Sequence, residues 1–305
     1  MARMTRAERE ALEAQKQAQL AKDQRNQTLI GVAVIVAVVL VVALIAFFIV
    51  RSNQASKPSA DSVKEAKAAI SKVEEKPANA NADNGFTISK NGVNKPVSGV
   101  PTVSNYMDFI CPACAAFEQS AGNDLVKMVR AGQINLDIHP EAFLDRSSTD
   151  EYSTRSASAI VYVAEHDPAN LLTAIQAMFD PSYQPQEASA YKPTSDKMIA
   201  AQLKKAGVKA SVADAAVKGT YKKWVKAVSS YDPLQEKLWH QHGDFKGQMT
   251  TPTLLVNGHY VDLVLAPSQL SNTQIVTKSI GLDTAEIGNS SVLPSIKTGK
   301  PIDLE

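Results

Sequence analysis

The sequence predicts an α/β domain with a helical insertion, preceded by a single transmembrane helix. Three observations support this prediction. A long apolar run lies near the N-terminus, strand and helix patterns alternate after residue 86, and the only two cysteines of the 305-residue chain share one four-residue window. The formal net charge of +1 gives no indication of a nucleic-acid partner.

The apolar run covers residues 29–50, and its 22 positions contain no charged or strongly polar side chain. As an α-helix it would be about 33 Å long, which matches a hydrocarbon core of about 30 Å. A cleaved signal peptide is the alternative, but its apolar region usually has only about 7–15 residues. We therefore predict an uncleaved membrane anchor.

The basic residues around the anchor favour a cytoplasmic N-terminus. Six of them precede the anchor and four lie in the twenty residues after it: Arg3, Arg6, Arg9, Lys16, Lys22 and Arg25, then Arg51, Lys57, Lys64 and Lys67. Residues 1–28 are then a cytoplasmic polar helical segment. The protein is predicted to be a single-pass cell-membrane protein whose lipid partner is the bilayer, and whose catalytic domain is extracytoplasmic.

Residues 51–85 are predicted to be an extracytoplasmic linker, because large apolar side chains are few and small or polar ones dominate. A short helix is compatible with apolar residues that recur at helical spacing over 61–75. Residues 282–305 show little pattern and are predicted to be a C-terminal tail.

Residues 86–281 have the pattern of a folded domain, and turn residues separate its elements. The predicted order is a short hairpin, a strand over 101–109, a helix from 112 to Gly132 with a break near Gly122, a strand over 134–139, a helical insertion over about 151–240, a hairpin at Asn257-Gly258 and a helix over 268–280.

Cys111 and Cys114 are compatible with a chance pair of core residues, half a metal site, a haem attachment or a redox pair. Haem attachment requires histidine after the second cysteine, and position 115 is Ala. A structural zinc needs four ligands, and the only close histidine spacing, His240 and His242, is expected to be exposed. We therefore predict a redox pair, with no metal and no cofactor.

The two thiols are predicted to differ in role. Pro112 suits the first position of a helix, so Cys111 would cap the helix N-terminus, where the positive end of the helix favours a thiolate. Cys114 falls nearly one turn later and is less exposed. Because the thiolate is the nucleophile, Cys111 is predicted to attack and Cys114 to resolve.

The stretches "DFICPAC" at 108–114 and "TPTLLVNG" at 251–258 resemble the thioredoxin-fold disulfide oxidoreductases of the DsbA-like branch. The resemblance covers residues 86–281, about two-thirds of the chain. It implies a thioredoxin-like fold and a Cys111–Cys114 disulfide. It also implies supporting roles for Pro112 and Ala113, and a cis Thr251-Pro252 bond against the pair.

Two positions depart from the family pattern. Members often carry a buried acid six residues before the first cysteine, where this chain has Asn105. Asp108 is expected to be a surface or turn residue rather than a substitute for that acid. The second departure is Ala113, which stands where the most oxidising members have histidine, and this indicates a less extreme oxidant.

The resemblance implies that the Cys111/Cys114 pair oxidises dithiols in secreted or cell-envelope proteins. A membrane enzyme, either DsbB-like or vitamin K epoxide reductase-like, would reoxidise the pair. Two alternatives stay open: an extracytoplasmic thiol reductase that serves haem attachment or disulfide isomerisation, and a thioredoxin-fold docking module without catalysis.

Overall fold

The computed structural model describes residues 57–263 and 265–304. The predicted cytoplasmic segment, 1–28, and the predicted anchor, 29–50, lie outside the described residues, as does the start of the predicted linker. Within the described part of the chain, no helix has the length and apolarity needed to cross a membrane.

Six strands form one mixed sheet with the order β2-β1-β4-β3-β5-β6. The strands are β1 (Phe86–Ser89), β2 (Gly92–Val93), β3 (Thr102–Asp108), β4 (Asn135–Glu141), β5 (Thr253–Val256) and β6 (His259–Val261). β3 and β4 are parallel, and the other neighbouring strands are antiparallel. The predicted mixed α/β fold is confirmed.

The helices of the described residues lie before, between and after these strands. They are α1 (Ala60–Lys72), α2 (Pro112–Phe117), α3 (Asn123–Ala131), α4 (Tyr152–His166), α5 (Leu171–Met178), α6 (Asp196–Lys205), α7 (Ala210–Ala216), α8 (Lys222–Tyr231) and α9 (Asn272–Ile280). Between α2 and α3 the chain continues as a π-helical segment, Glu118–Gly122, at the position of the predicted break.

The helical insertion follows β4 and ends with a 3₁₀ turn at Glu236–Leu238. Its central helix, α4, packs against β4, α7 and α8. Small side chains allow this close approach, because α4 buries mainly serine and alanine: Ser153, Ser156, Ala157, Ser158, Ala159 and Ala164. The insertion therefore forms one layer of the domain's main core.

The predicted linker differs from the structure over its described part. The compact unit begins at Pro58. Helix α1 packs against α8, and Ile70 is buried in the main core. Asn81 donates to the carboxylate of Asp137 over 2.7 Å. The few apolar residues at helical spacing are enough to dock this segment, because α8 offers an apolar face to cover them.

The predicted tail also packs on the domain. The buried side chain of Gln133 donates to the carbonyls of Glu286, Asn289 and Val292 over 2.8, 3.1 and 3.0 Å. It also accepts from the Gly288 N–H over 2.9 Å. Backbone groups of the segment thus hold it to the domain, together with apolar side chains that pack against the main core.

Candidate active site

The cysteine pair lies at the junction between strand β3 and helix α2. Cys111 is the N-cap residue of α2 and Pro112 occupies the first turn, as the sequence predicts. The Cys111 N–H donates to the Asp108 carbonyl over 3.0 Å, which turns the chain from the strand into the helix. Pro112 and Ala113 are exposed, so the surface beside the thiols is small and apolar.

The loop before β5 lies against the first cysteine. The Thr251-Pro252 bond is cis, which confirms the prediction. The Cys111 thiol donates to the Thr251 carbonyl over 3.2 Å. This contact brings the two sequence motifs, which are 140 residues apart, into one site.

The surroundings separate the two thiols electrostatically. A hydrogen bond from Cys114 lowers the pKa of Cys111, and hydrogen bonds from Thr251 and the Cys114 backbone add to the effect against the opposing cost of burial. Burial raises the pKa of Cys114, and a thiolate at Cys111 raises it further. The difference between the two pKa values therefore has the predicted sign, and Cys111 is the more acidic thiol of the pair.

The cause of this polarity differs from the prediction. The sequence argument relied on greater exposure of Cys111, but both residues are buried, with 6% and 2% of their surfaces exposed. Hydrogen bonds that lower the pKa of Cys111 and burial that raises the pKa of Cys114 therefore distinguish the two thiols, rather than exposure of Cys111.

Asp108 corrects a sequence prediction. It is fully buried rather than exposed. Its carboxylate accepts from the Ser153 hydroxyl over 2.6 Å and from the backbone N–H groups of Ile110 and Leu144 over 3.2 and 3.0 Å. Burial nevertheless raises the pKa of Asp108 to about 7. Periodicity places Asp108 on the same strand face as Tyr106, but only the folded chain shows that this face is covered at Asp108.

Gln184 is a site residue that sequence reasoning missed. It lies in the loop after α5, and its side-chain amide donates to the carbonyls of Phe109 and Cys111, both over 3.1 Å. The helical insertion thus holds the turn that carries the nucleophile. No spacing rule connects a glutamine in an irregular loop to a turn 73 residues earlier.

His240 also corrects a prediction, because it is buried rather than exposed. Its ring bonds to the Thr250 hydroxyl over 2.6 Å and to the Tyr260 hydroxyl over 2.8 Å. Thr250 directly precedes the cis-proline loop, so His240 and strand β6 support that loop. His242 is exposed, as expected, and pairs with Asp262 over 3.0 Å.

The described side chains contain no group of three or more His, Cys, Asp or Glu residues that could hold a metal ion. The chemistry that the site can perform with its own residues is exchange between thiols and a disulfide.

Many proteins have mixed α/β sheets. One class of enzyme among them performs thiol exchange at a strand-to-helix junction beside a cis-proline loop. This chain is of that class, a disulfide oxidoreductase. It belongs to the thioredoxin family, since a family model described as thioredoxin matches residues 98–273, more than half of the chain.

Two solved structures from Mycobacterium tuberculosis are similar to this chain. Oxidised DsbA is 25% identical, with a TM-score of 0.52, over 68% of this chain and 97% of that one. The reduced disulfide bond oxidoreductase DsbG is 25% identical, with a TM-score of 0.51, over 71% of this chain and 96% of that one. Both likenesses support the thioredoxin-like fold and the class of enzyme.

A curated relative is similar over a shorter stretch. The serine/threonine-protein kinase PknE of Mycobacterium tuberculosis is 34% identical over 91 residues, which is 29% of this chain. The match spans only 16% of the kinase. No kinase activity is carried over to this chain from so small a share.

Proposed function

We propose that the protein is a membrane-tethered, extracytoplasmic thiol-disulfide oxidoreductase that oxidises dithiols in secreted or cell-envelope proteins. The Cys111/Cys114 pair carries the chemistry. The observation that supports this most directly is the contact of the Cys111 thiol with the Thr251 carbonyl, beside a buried Cys114.

The proposed exchange starts from the oxidised pair. A substrate thiolate attacks the Sγ of Cys111, the disulfide bond breaks, and its electron pair moves to Cys114. The second substrate thiolate then attacks the substrate sulfur of the mixed disulfide, the bond from that sulfur to Cys111 breaks, and Cys111 leaves as a thiolate. The substrate leaves with a disulfide, and the enzyme leaves with two reduced cysteines.

The direction of transfer follows from which redox state the site stabilises. A pair whose reduced form is stabilised accepts electrons more readily. Hydrogen bonds from Cys114 and Thr251 lower the pKa of Cys111 and so stabilise the reduced form. An ionised Asp108 raises the pKa of Cys111, and Ala113 adds no positive charge that would lower it. We therefore infer an oxidase that is weaker than the most oxidising members of the DsbA-like branch.

The membrane tether and the location rest on the sequence. The apolar run at 29–50 and the basic residues before it favour an anchor with a cytoplasmic N-terminus. Disulfides persist outside the cytoplasm, where an oxidase would find its substrates. A membrane partner, DsbB-like or vitamin K epoxide reductase-like, would reoxidise the reduced pair.

Trapping of mixed disulfides tests the roles of the two cysteines. Cys114→Ala removes the thiol that would reverse the first step, so this variant should accumulate mixed disulfides with envelope proteins through Cys111. Cys111→Ala is the matched control and should accumulate none. Mixed disulfides that form through Cys114 alone would contradict the assignment.

An assay with a dithiol peptide tests the direction of electron transfer. The oxidised full-length chain, solubilised in detergent, is mixed with a reduced dithiol peptide, and peptide disulfide is measured. Stoichiometric oxidation is expected. A chain that fails to oxidise the peptide but rapidly reduces the disulfides of insulin would instead be a reductase.

A further inference from the structure

His240 is a buried residue that takes no part in the thiol exchange as written above. It is the first residue of the segment that leads to the cis-proline, which we name the 240–250 loop, and it closes the base of this loop. Its N–H donates to the Gln248 carbonyl and its carbonyl accepts from the Gly247 N–H, both over 2.9 Å. The backbone of His240 therefore fixes the path of the chain just before the cis-proline.

Both ends of the 240–250 loop adjoin a second apolar cluster, separate from the main core. Tyr260 of β6 packs against this cluster, whose buried members are Tyr106, Leu238, Trp239, Met249 and Leu255. Trp239 directly precedes His240, and Met249 directly precedes Thr250. Packing therefore holds the two ends of the loop, and it places the His240 ring between β6 and Thr250.

The ring of His240 joins strand β6 to the end of the loop. Its Nδ1 lies 2.8 Å from the Tyr260 hydroxyl, and its Nε2 lies 2.6 Å from the Thr250 hydroxyl. Burial lowers the pKa of His240, so the ring is neutral at pH 7 and carries one N–H. A hydroxyl can donate or accept, so one partner accepts from the ring and the other donates to it. Both ring nitrogens are therefore satisfied.

The path from His240 to the nucleophile is short. The Thr250 carbonyl accepts from the Thr253 hydroxyl over 2.7 Å, so Thr250 is held at a second point. The next residue is Thr251, whose carbonyl accepts from the Cys111 thiol over 3.2 Å. Two hydrogen bonds and one peptide unit thus connect the His240 ring to the sulfur of Cys111.

The contact between Cys111 and Thr251 is available to only one redox state. Both cysteines are free in this structure, and a free thiol has a hydrogen to donate to the Thr251 carbonyl. In the disulfide, the sulfur of Cys111 carries no hydrogen, so this hydrogen bond is absent. A loop that is held in place therefore stabilises the reduced pair over the oxidised pair, and a pair whose reduced form is stabilised is a stronger oxidant.

The acidity of Cys111 acts in the same direction. Hydrogen bonds from Cys114, and then from Thr251, lower the pKa of Cys111. A thiolate at Cys111 exists only in the reduced pair, so a well-placed Thr251 stabilises the reduced form in either protonation state of this thiol.

We propose that His240 is a positioning residue for the thiol exchange. Its ring holds Thr250, and this fixes the Thr251 carbonyl against the sulfur of Cys111 and makes the pair a stronger oxidant. The inference rests on the proposed thiol exchange and deepens it, because it names a residue that tunes the strength of the oxidant. No proton or electron passes through the ring.

The equilibrium of the pair with glutathione tests the proposal. The full-length chain in detergent is equilibrated at pH 7 with mixtures of reduced and oxidised glutathione, and the reduced fraction is measured by alkylation of the thiols. His240→Asn keeps a polar group near the Nδ1 position but is too short to reach Thr250. Its equilibrium constant for oxidation by glutathione should rise by about 3- to 10-fold, as expected for one lost hydrogen bond.

Further variants separate positioning from a structural effect. His240→Gln places its amide near the Nε2 position, within reach of Thr250, and should keep the wild-type constant. Thr250→Val lacks the hydroxyl and should shift the constant as His240→Asn does, whereas Thr250→Ser should not. Because the two groups act through one bond, the double variant His240→Asn/Thr250→Val should shift the constant no further than either single variant. A loss of fold stability that is equal in both redox states leaves this constant unchanged.

His259→Gln, at an exposed position of β6, is the matched control and should leave the constant unchanged. Wild-type constants in His240→Asn and Thr250→Val would overturn the proposal, as would additive shifts in the double variant or equal shifts in His240→Gln and His240→Asn. Failure of the proposed function is distinguishable from these outcomes, because it would appear as absent oxidation of the dithiol peptide by the wild type.

Discussion

At the scale of single residues, Asp108 was expected at the surface or in a turn, but it is buried. Among the residues predicted wrongly, its burial has the largest electrostatic effect. Its pKa rises from 3.8 to about 7 on folding because it is fully buried. A group with a raised pKa contributes stability that is present below the unfolded value and is lost as the pH rises through the folded value. The folded chain therefore loses stability at Asp108 between these two pH values.

Asp108→Asn should remove this loss. Between pH 3.8 and about 7, the free energy of unfolding of the wild type should fall relative to the variant by up to about 1.4 kcal/mol per pH unit. Urea unfolding at a series of pH values measures this difference. Asp244→Asn, at an exposed position, serves as the control and should run parallel to the wild type. A parallel curve for Asp108→Asn would contradict the burial argument.

Gln184 is the second residue whose role arises only in the folded chain. Gln184→Ala removes the donor to the Phe109 and Cys111 carbonyls, and should lower the free energy of unfolding by about 1–2 kcal/mol. Gln184→Glu keeps the shape of the side chain but places a carboxylate oxygen, which only accepts, beside the two carbonyl oxygens. Its free energy of unfolding should therefore fall further than that of Gln184→Ala.

Urea unfolding of the full-length chain checks this order. Gln186→Ala, at an exposed position in the same loop, is the matched control and should change stability by less than about 0.5 kcal/mol. If Gln184→Ala and Gln184→Glu behave like this control, the loop does not hold the active-site turn.

At the scale of elements, the end of α9 is fixed by a glycine and by the segment that follows. Gly281 caps the helix with a φ of 67°, in the left-handed region. A Cβ at this position would overlap the Ser295 hydroxyl. The helix end and residues 282–304 therefore depend on each other.

Gly281→Ala should be more destabilising than an equivalent change without the overlap. Gly258, in the β5–β6 turn, has a φ of 78° and open space where a Cβ would lie, so Gly258→Ala measures the backbone strain alone, about 1–2 kcal/mol. Gly281→Ala should exceed it and also expose the C-terminal segment to protease. Equal losses, with no new cleavage, would show that Ser295 moves aside without cost.

At the scale of the whole molecule, the prediction concerns orientation in the membrane. A chain with different tags at its two ends is expressed in cells, and protease is added to the intact cells. Because the basic residues favour a cytoplasmic N-terminus, the C-terminal tag should be digested and the N-terminal tag protected. Detergent-permeabilised cells provide the control, in which both tags are lost. Digestion of the N-terminal tag alone would reverse the orientation.

The sequence by itself determined the local features of the site. The spacing of Cys111 and Cys114, Pro112 at the start of a helix and the Asn257-Gly258 turn each depend on residues within a few positions. The strand and helix order followed from periodicity for the same reason. The cis bond at Thr251-Pro252 was predicted by resemblance, and the structure confirms it.

Only the tertiary structure decided what covers each face. Periodicity tells which side chains share a face, but a partner distant in sequence determines whether that face meets solvent, an apolar layer or another polar group. Asp108 is buried because Ser153 and Leu144 cover it. The segments before β1 and after α9 pack on the domain for the same reason, since their partners lie far away in the chain.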